Sequence, residues 1–140
     1  MRNSVTLFAV LVLLIAAALF WFWPYIQMEF AGSAHYSEQD QREYDFYTPE
    51  VLKKMPRISP KFDFDFSNIT GPASHVYAVK FYGTKETRKI EDYLKSKGYK
   101  QEQCEAGEIC WRGNDPQETV YLDMLNGENT VIVQVVYNFN

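Results

Sequence analysis

The feature that most constrains this chain is an uncharged run from Val5 to Trp23, interrupted only by the weakly polar Thr6. At 1.5 Å per helical residue, these about 19 positions reach roughly 28 Å, close to the thickness of bilayer hydrocarbon. A segment that is apolar all round has no face to turn toward water, so residues 1–25 read as a transmembrane signal-anchor. A cleaved signal peptide would have a shorter apolar core followed by small residues. Here the core ends in Trp21, Phe22, Trp23, Pro24 and Tyr25, while the small run Ala31-Gly32-Ser33-Ala34 lies well beyond it. Trp21, Trp23 and Tyr25 suit an interfacial aromatic belt, each combining an apolar ring with a polar atom that stays wet.

Cation asymmetry sets the expected orientation. Arg2 and the terminal amine precede the run, whereas Glu29, Glu38 and Asp40 come before the next base, Arg42. The positive-inside tendency then predicts a single-pass protein of the cell inner membrane, with its N-terminus cytoplasmic and the remainder periplasmic or extracellular.

After Pro24 there is enough chain for one modest core. The full sequence carries 14 basic and 18 acidic residues, a formal charge of −4, which provides no general attraction for a polyanion. Nucleic acid is therefore not an expected partner. Residues 26–43 read as a polar stalk, because Ala31 to Glu43 is rich in Gly, Ser, Gln and charge without apolar periodicity. Residues 44–140 read as the extracytoplasmic domain.

Within that domain, Thr48-Pro49-Glu50 predicts a short helix reaching about Met55, with Pro56 and Pro60 beyond it. Phe62-Asp63-Phe64-Asp65-Phe66 alternates strictly, so a strand places three rings on one face and two carboxylates on the other. His75 to Tyr82 has strand composition. Thr84 is a candidate cap for a helix through Lys97, closed by Gly98. Tyr99 to Cys104 and Ile109 to Arg112 read as a short strand and its return. Gln117 to Leu125 and Glu128 to Tyr137 flank Asn126-Gly127, a dipeptide suited to a type I′ hairpin. This order predicts an α+β fold with a mainly antiparallel sheet and one packed helix.

Cys104 and Cys110 are the two cysteines, separated by a short segment containing Gly107, and an oxidising outer compartment predicts a disulfide between them. Their spacing is neither that of a redox pair nor of a zinc finger. Asp63, Asp65 and Asn68 suggest a cation site, but the Gly and terminal Glu of a calcium loop are missing, so a solvated strand face is the expectation. Neither metal nor cofactor is expected. Asn68-Ile69-Thr70 has the form of a glycosylation sequon, relevant only in a eukaryotic secretory pathway. His35 reads as solvated stalk and His75 as an ordinary polar residue near a strand edge.

Charge is unevenly distributed. Lys80 to Lys100 holds seven bases against three acids, whereas Gln101 to Glu128 holds seven acids against Arg112 alone. The acidic half suggests a recognition surface for a basic protein, with Glu105, Glu108 and Glu118 as steering charges and Trp111 and Tyr121 as apolar anchors. The expected function is therefore a non-enzymatic, membrane-anchored domain that binds a protein or envelope component. Small anchored domains that neutralise a toxin in the periplasm share this layout, an analogy of architecture with no motif behind it. Two alternatives compete: a small envelope hydrolase using Asp63, Asp65 or His75, and a structural subunit of a membrane complex.

Overall fold

The computed structural model describes residues 1–71, 73–125 and 129–139, with only the backbone of Ala106. The chain divides into two units, Met1–Ala31 and Gly32–Asn140. The first contains one helix, α1 (Arg2–Glu29), with Pro24 inside it. Its most apolar stretch has a mean hydropathy of 2.8 and is entirely unburied, so it is long and apolar enough to cross a membrane, a property that signal sequences share.

The second unit is built on a seven-stranded sheet in the order β1-β2-β3-β7-β6-β5-β4. Its strands are β1 (Ser33–Tyr36), β2 (Phe62–Thr70), β3 (Ala73–Tyr82), β4 (Lys100–Gln103), β5 (Ile109–Arg112), β6 (Glu118–Met124) and β7 (Thr130–Asn138). Each neighbouring pair is antiparallel. Three short helices accompany it: α2 (Gln41–Tyr47), α3 (Glu50–Lys53) and α4 (Arg88–Ser96). The α+β class expected from the sequence is the observed one, with three packed helices in place of one.

Phe64, Phe81, Val79, Val131, Val133 and Val135 are fully buried on one sheet face, beneath Leu52, Ile90 and Leu94 from the helices. At the β1 end, an aromatic stack continues this core. Tyr36 lies 5.7 Å from Tyr47 and 5.5 Å from Phe64, and Tyr47 lies 4.8 Å from Phe66, all as stacked rings. Arg57 seals the edge, its guanidinium 5.1 Å over Phe62 while donating to the Leu52 carbonyl at 2.8 Å and the Tyr44 hydroxyl at 2.9 Å. The opposite face is open, with Asp63, Asp65, Val76, Lys80, Tyr121, Gln134 and Val136 half-buried and His35 exposed.

Several boundaries differ from expectation for identifiable reasons. Part of the expected stalk is structured: Ser33–Tyr36 pairs with β2, and Gln41–Tyr47 is helical. The small residues of β1 lack apolar periodicity because β2 and α2 supply most of the apolar surface around Tyr36. Thr48 ends α2 rather than starting a helix, and its hydroxyl meets Tyr36 Oη at 2.8 Å. Thr84 Oγ1 accepts from the Glu86 amide, forming a local turn, so α4 begins four residues later. Gly98 follows α4 with φ of 88°, as its predicted closing role requires. The β6–β7 hairpin is present, with Met124 opposite Val131, while Asn126-Gly127 lies outside the described residues.

Candidate functional site

The cysteine pair closes the connection between β4 and β5. Between β4 and β5 the chain makes a single 3₁₀ turn over Glu105–Gly107, with Gly107 at φ of 77°. The Cys104 amide donates to the Glu108 carbonyl at 2.7 Å. Cys104 and Cys110 form a disulfide, their Cα atoms 5.9 Å apart. That separation is normal for such a bond. Cys110 is fully buried, whereas Glu105 and Glu108 are exposed and Ile109 is 55% exposed. Alkylation under denaturing, non-reducing conditions should leave the intact mass unchanged, and two adducts should form only after reduction. Reduction should cost about 2–3 kcal/mol of stability by loop entropy, read from denaturant midpoints.

The remaining residues expected at a partner surface do not join the two glutamates on one face. Strand alternation turns Trp111 toward the helices, where it is 2% exposed and part of the core. Glu118 is 9% exposed and accepts hydrogen bonds from Tyr99 Oη on one carboxylate oxygen and from Tyr137 Oη, at 2.6 Å, on the other. Burial, followed by the Glu118 contact, pushes both tyrosine pKa values up. Tyr121 sits on the open face, paired with Cys110 on one side and Gln134 on the other. Thus Glu105 and Glu108 are accessible charges, Tyr121 is half-buried, and Trp111 and Glu118 hold the domain together.

A groove of about 310 Å³ lies beside the disulfide turn. It is lined by Thr87 and Glu91 at and within α4, and by Gln101, Ile109, Trp111, Leu122, Asp123 and Met124 on β4 to β6. Glu91 brings a carboxylate to this groove, alternation turns the Asp123 side chain to the opposite sheet face, and none of the described lining residues is lysine or arginine. Ile109 and Met124 are 55% and 53% exposed at its rim, and a sliver of Trp111 contributes to its lining. This groove was not legible in the sequence, because it requires α4 to cross the sheet opposite β5 and β6. A second recess of about 240 Å³, between α3 and α4, is lined by Glu50, Val51, Lys54, Tyr93, Lys97 and Tyr99.

The open face carries another polar group. The β1–β2 register places His35 directly opposite Asp65, and Asp63 projects from the same face two residues away. His35 Nδ1 is 2.7 Å from Asp65 Oδ1, and Nε2 is 3.7 Å from Asp63 Oδ2. The Asp65 hydrogen bond is the largest influence raising the His35 pKa above its ordinary value. Lys80 Nζ approaches Asp65 Oδ2 to 3.7 Å, and Tyr82 Oη donates to Asp63 at 3.0 and 2.9 Å. His35 therefore takes the place in this cluster that the sequence suggested for Asn68, which alternation turns to the other face. His75 also faces away, packing 5.5 Å from Phe66 and 4.8 Å from Phe139. The sheet consequently separates His75 from the two aspartates. No family model, curated protein or solved structure matches this chain.

Proposed function

We propose that this chain is a single-pass, membrane-anchored, non-enzymatic binding domain on the outer side of the inner membrane, and that it engages a basic protein segment. The observation that carries this reading is the juxtaposition of the disulfide-closed turn bearing exposed Glu105 and Glu108 with the groove bordered by Glu91. A covalently closed turn loses little conformational freedom on association. Its carboxylates would steer a cationic segment, while Ile109, Met124 and the groove floor would take an aliphatic side chain. The uncharged run Val5 to Trp23 and the preceding Arg2 support a cytoplasmic N-terminus, and the disulfide is consistent with an oxidising outer compartment.

Crosslinking in intact membranes, followed by capture of the full chain and identification of the crosslinked protein, supplies the partner for a direct test. Charge reversal at Glu105 and Glu108 is expected to weaken association about tenfold or more at low salt and to flatten its salt dependence. The variants should keep the wild-type denaturation midpoint, because these positions are exposed. A folded double variant with undiminished affinity and salt dependence would reject the acidic surface. A C-terminal reporter active only in the cytoplasm would reject the proposed location.

A further inference from the structure

We propose that one end of the sheet, where β1, β2, β3 and β7 meet, is a lipid-contact surface seated on the interfacial layer of the bilayer, with Ile69 and Phe139 entering it. This inference rests on the reading of α1 as a membrane anchor. Three uncharged segments converge there. Gly32, the first residue of the folded unit, accepts the Asn68 amide at 2.9 Å; Ile69 and Thr70 lie opposite Ser74 and Ala73; and the Phe139 amide donates to the Ala73 carbonyl at 3.1 Å. None of residues 30–34, 66–79 and 129–139 is Asp, Glu, Lys or Arg. A surface free of charge loses little when it is moved from water into the interface. Charged side chains resume across the sheet at Glu118 on β6 and Arg112 on β5, which bounds the surface.

The side chains at this end suit a water–lipid boundary. Ile69 is 44% and Phe139 50% exposed. Behind Phe139 stands His75, its ring 4.8 Å away, and Tyr77 packs 5.7 Å from Tyr137, all three half-buried. Rings that carry one polar atom are the side chains favoured at that depth. Chain reach identifies lipid as the occupant. The 28 residues of α1 extend about 42 Å at 1.5 Å each, the thickness of the hydrocarbon plus both headgroup layers. A helix of that length that crosses a bilayer releases the chain at the headgroup surface. Only Phe30 and Ala31 separate Glu29 from Gly32, a reach of at most about 11 Å. Ile109 and Met124 are comparably exposed but lie toward the other end of the strands, Met124 opposite Val131 at the far end of β7 from Phe139, and Ile109 opposite Gln103 beside the disulfide turn. Seating the uncharged end on lipid therefore presents Glu105 and Glu108 away from the bilayer.

The test uses the full chain in phosphatidylcholine nanodiscs that contain a phosphatidylcholine with a diazirine on the upper part of its acyl chain, illuminated and then mapped by peptide mass spectrometry. Peptides of α1 should be labelled, and those carrying Ile69 or Phe139 should take up at least about fivefold more label than those carrying Ile109 or Met124. The double variant Ile69→Ser/Phe139→Ser, altered at exposed positions, should keep the wild-type denaturation midpoint and lose most of that label. Labelled α1 with no excess at Ile69 and Phe139 over Ile109 and Met124 would overturn the lipid contact, leave the anchor standing and assign this end to a protein partner. Unlabelled α1 would reject the anchor and the contact with it. Undiminished label in the folded double variant would overturn the entry of these two side chains into lipid.

Discussion

Replacing Trp111 with alanine is expected to destabilise the domain by about 3–5 kcal/mol, the usual range for deleting a large buried aromatic side chain. Trp111 is the largest of the fully buried side chains and belongs to a short strand of four residues, Ile109–Arg112. Its loss removes packing where the strands β4 to β6 face α4. A domain of this size typically has about 5–15 kcal/mol of total stability, so the variant should lie near the unfolding threshold. Urea denaturation of the full chain in detergent, monitored by far-ultraviolet dichroism, measures the effect. Trp111→Phe should lose substantially less because it retains an aromatic ring. A loss below about 1 kcal/mol for Trp111→Ala would contradict its burial and return the ring to the role of a surface anchor.

The second large effect is expected at Glu118. Its two carboxylate oxygens receive the Tyr99 and Tyr137 hydroxyls, so Glu118→Ala leaves both donors without their acceptor. At about 1–3 kcal/mol for each unsatisfied polar group, less whatever water recovers at these half-buried rings, the net loss should be about 2–4 kcal/mol. Glu118→Gln preserves the shape and one good acceptor and should lose about half as much. The double variant Tyr99→Phe/Tyr137→Phe, made in the Glu118→Ala background, should restore part of the stability by removing both stranded hydroxyls. No recovery in that triple variant would show that the Glu118→Ala loss had another origin.

The same tyrosines define the alkaline limit. Burial pushes Tyr36 up from 10.0 to about 12 and raises Tyr99 and Tyr137 as well. The folded chain therefore binds these phenolic protons more tightly than the unfolded chain. Their contribution to stability is complete below about pH 10 and is lost as pH rises through about 12 at Tyr36. For buried Tyr36 this amounts to on the order of 3 kcal/mol. Phenolate absorbance should show exposed tyrosines ionising first, with Tyr36 ionising together with loss of the fold. Uniform, non-cooperative titration near pH 10 with the fold intact would contradict this assignment.

Legibility in the sequence followed contact distance along the chain. The helix Arg2–Glu29, the alternating strand from Phe62, the turn at Gly98, the β6–β7 pairing and the Cys104–Cys110 bond were each foreshadowed by neighbouring residues. The acidic cluster of the C-terminal half was legible only as composition. Its division among an exposed turn, the buried Glu118 and an open face depended on which way each strand projected its side chains.

The sequence by itself determined an apolar segment long enough to span a bilayer and an antiparallel α+β domain with a disulfide-closed turn, because these properties arise from local periodicity, turn chemistry and short spacing. Only the tertiary structure decided that His35 stands opposite Asp65 thirty residues away, and that Tyr99 and Tyr137 converge on Glu118. It also decided that the central sheet joins β3 to β7 and that α4 completes a groove over β5 and β6. Each of those outcomes depends on the register and order of strands brought together through long loops. That choice is made by collective burial of one sheet face, a property no short segment contains.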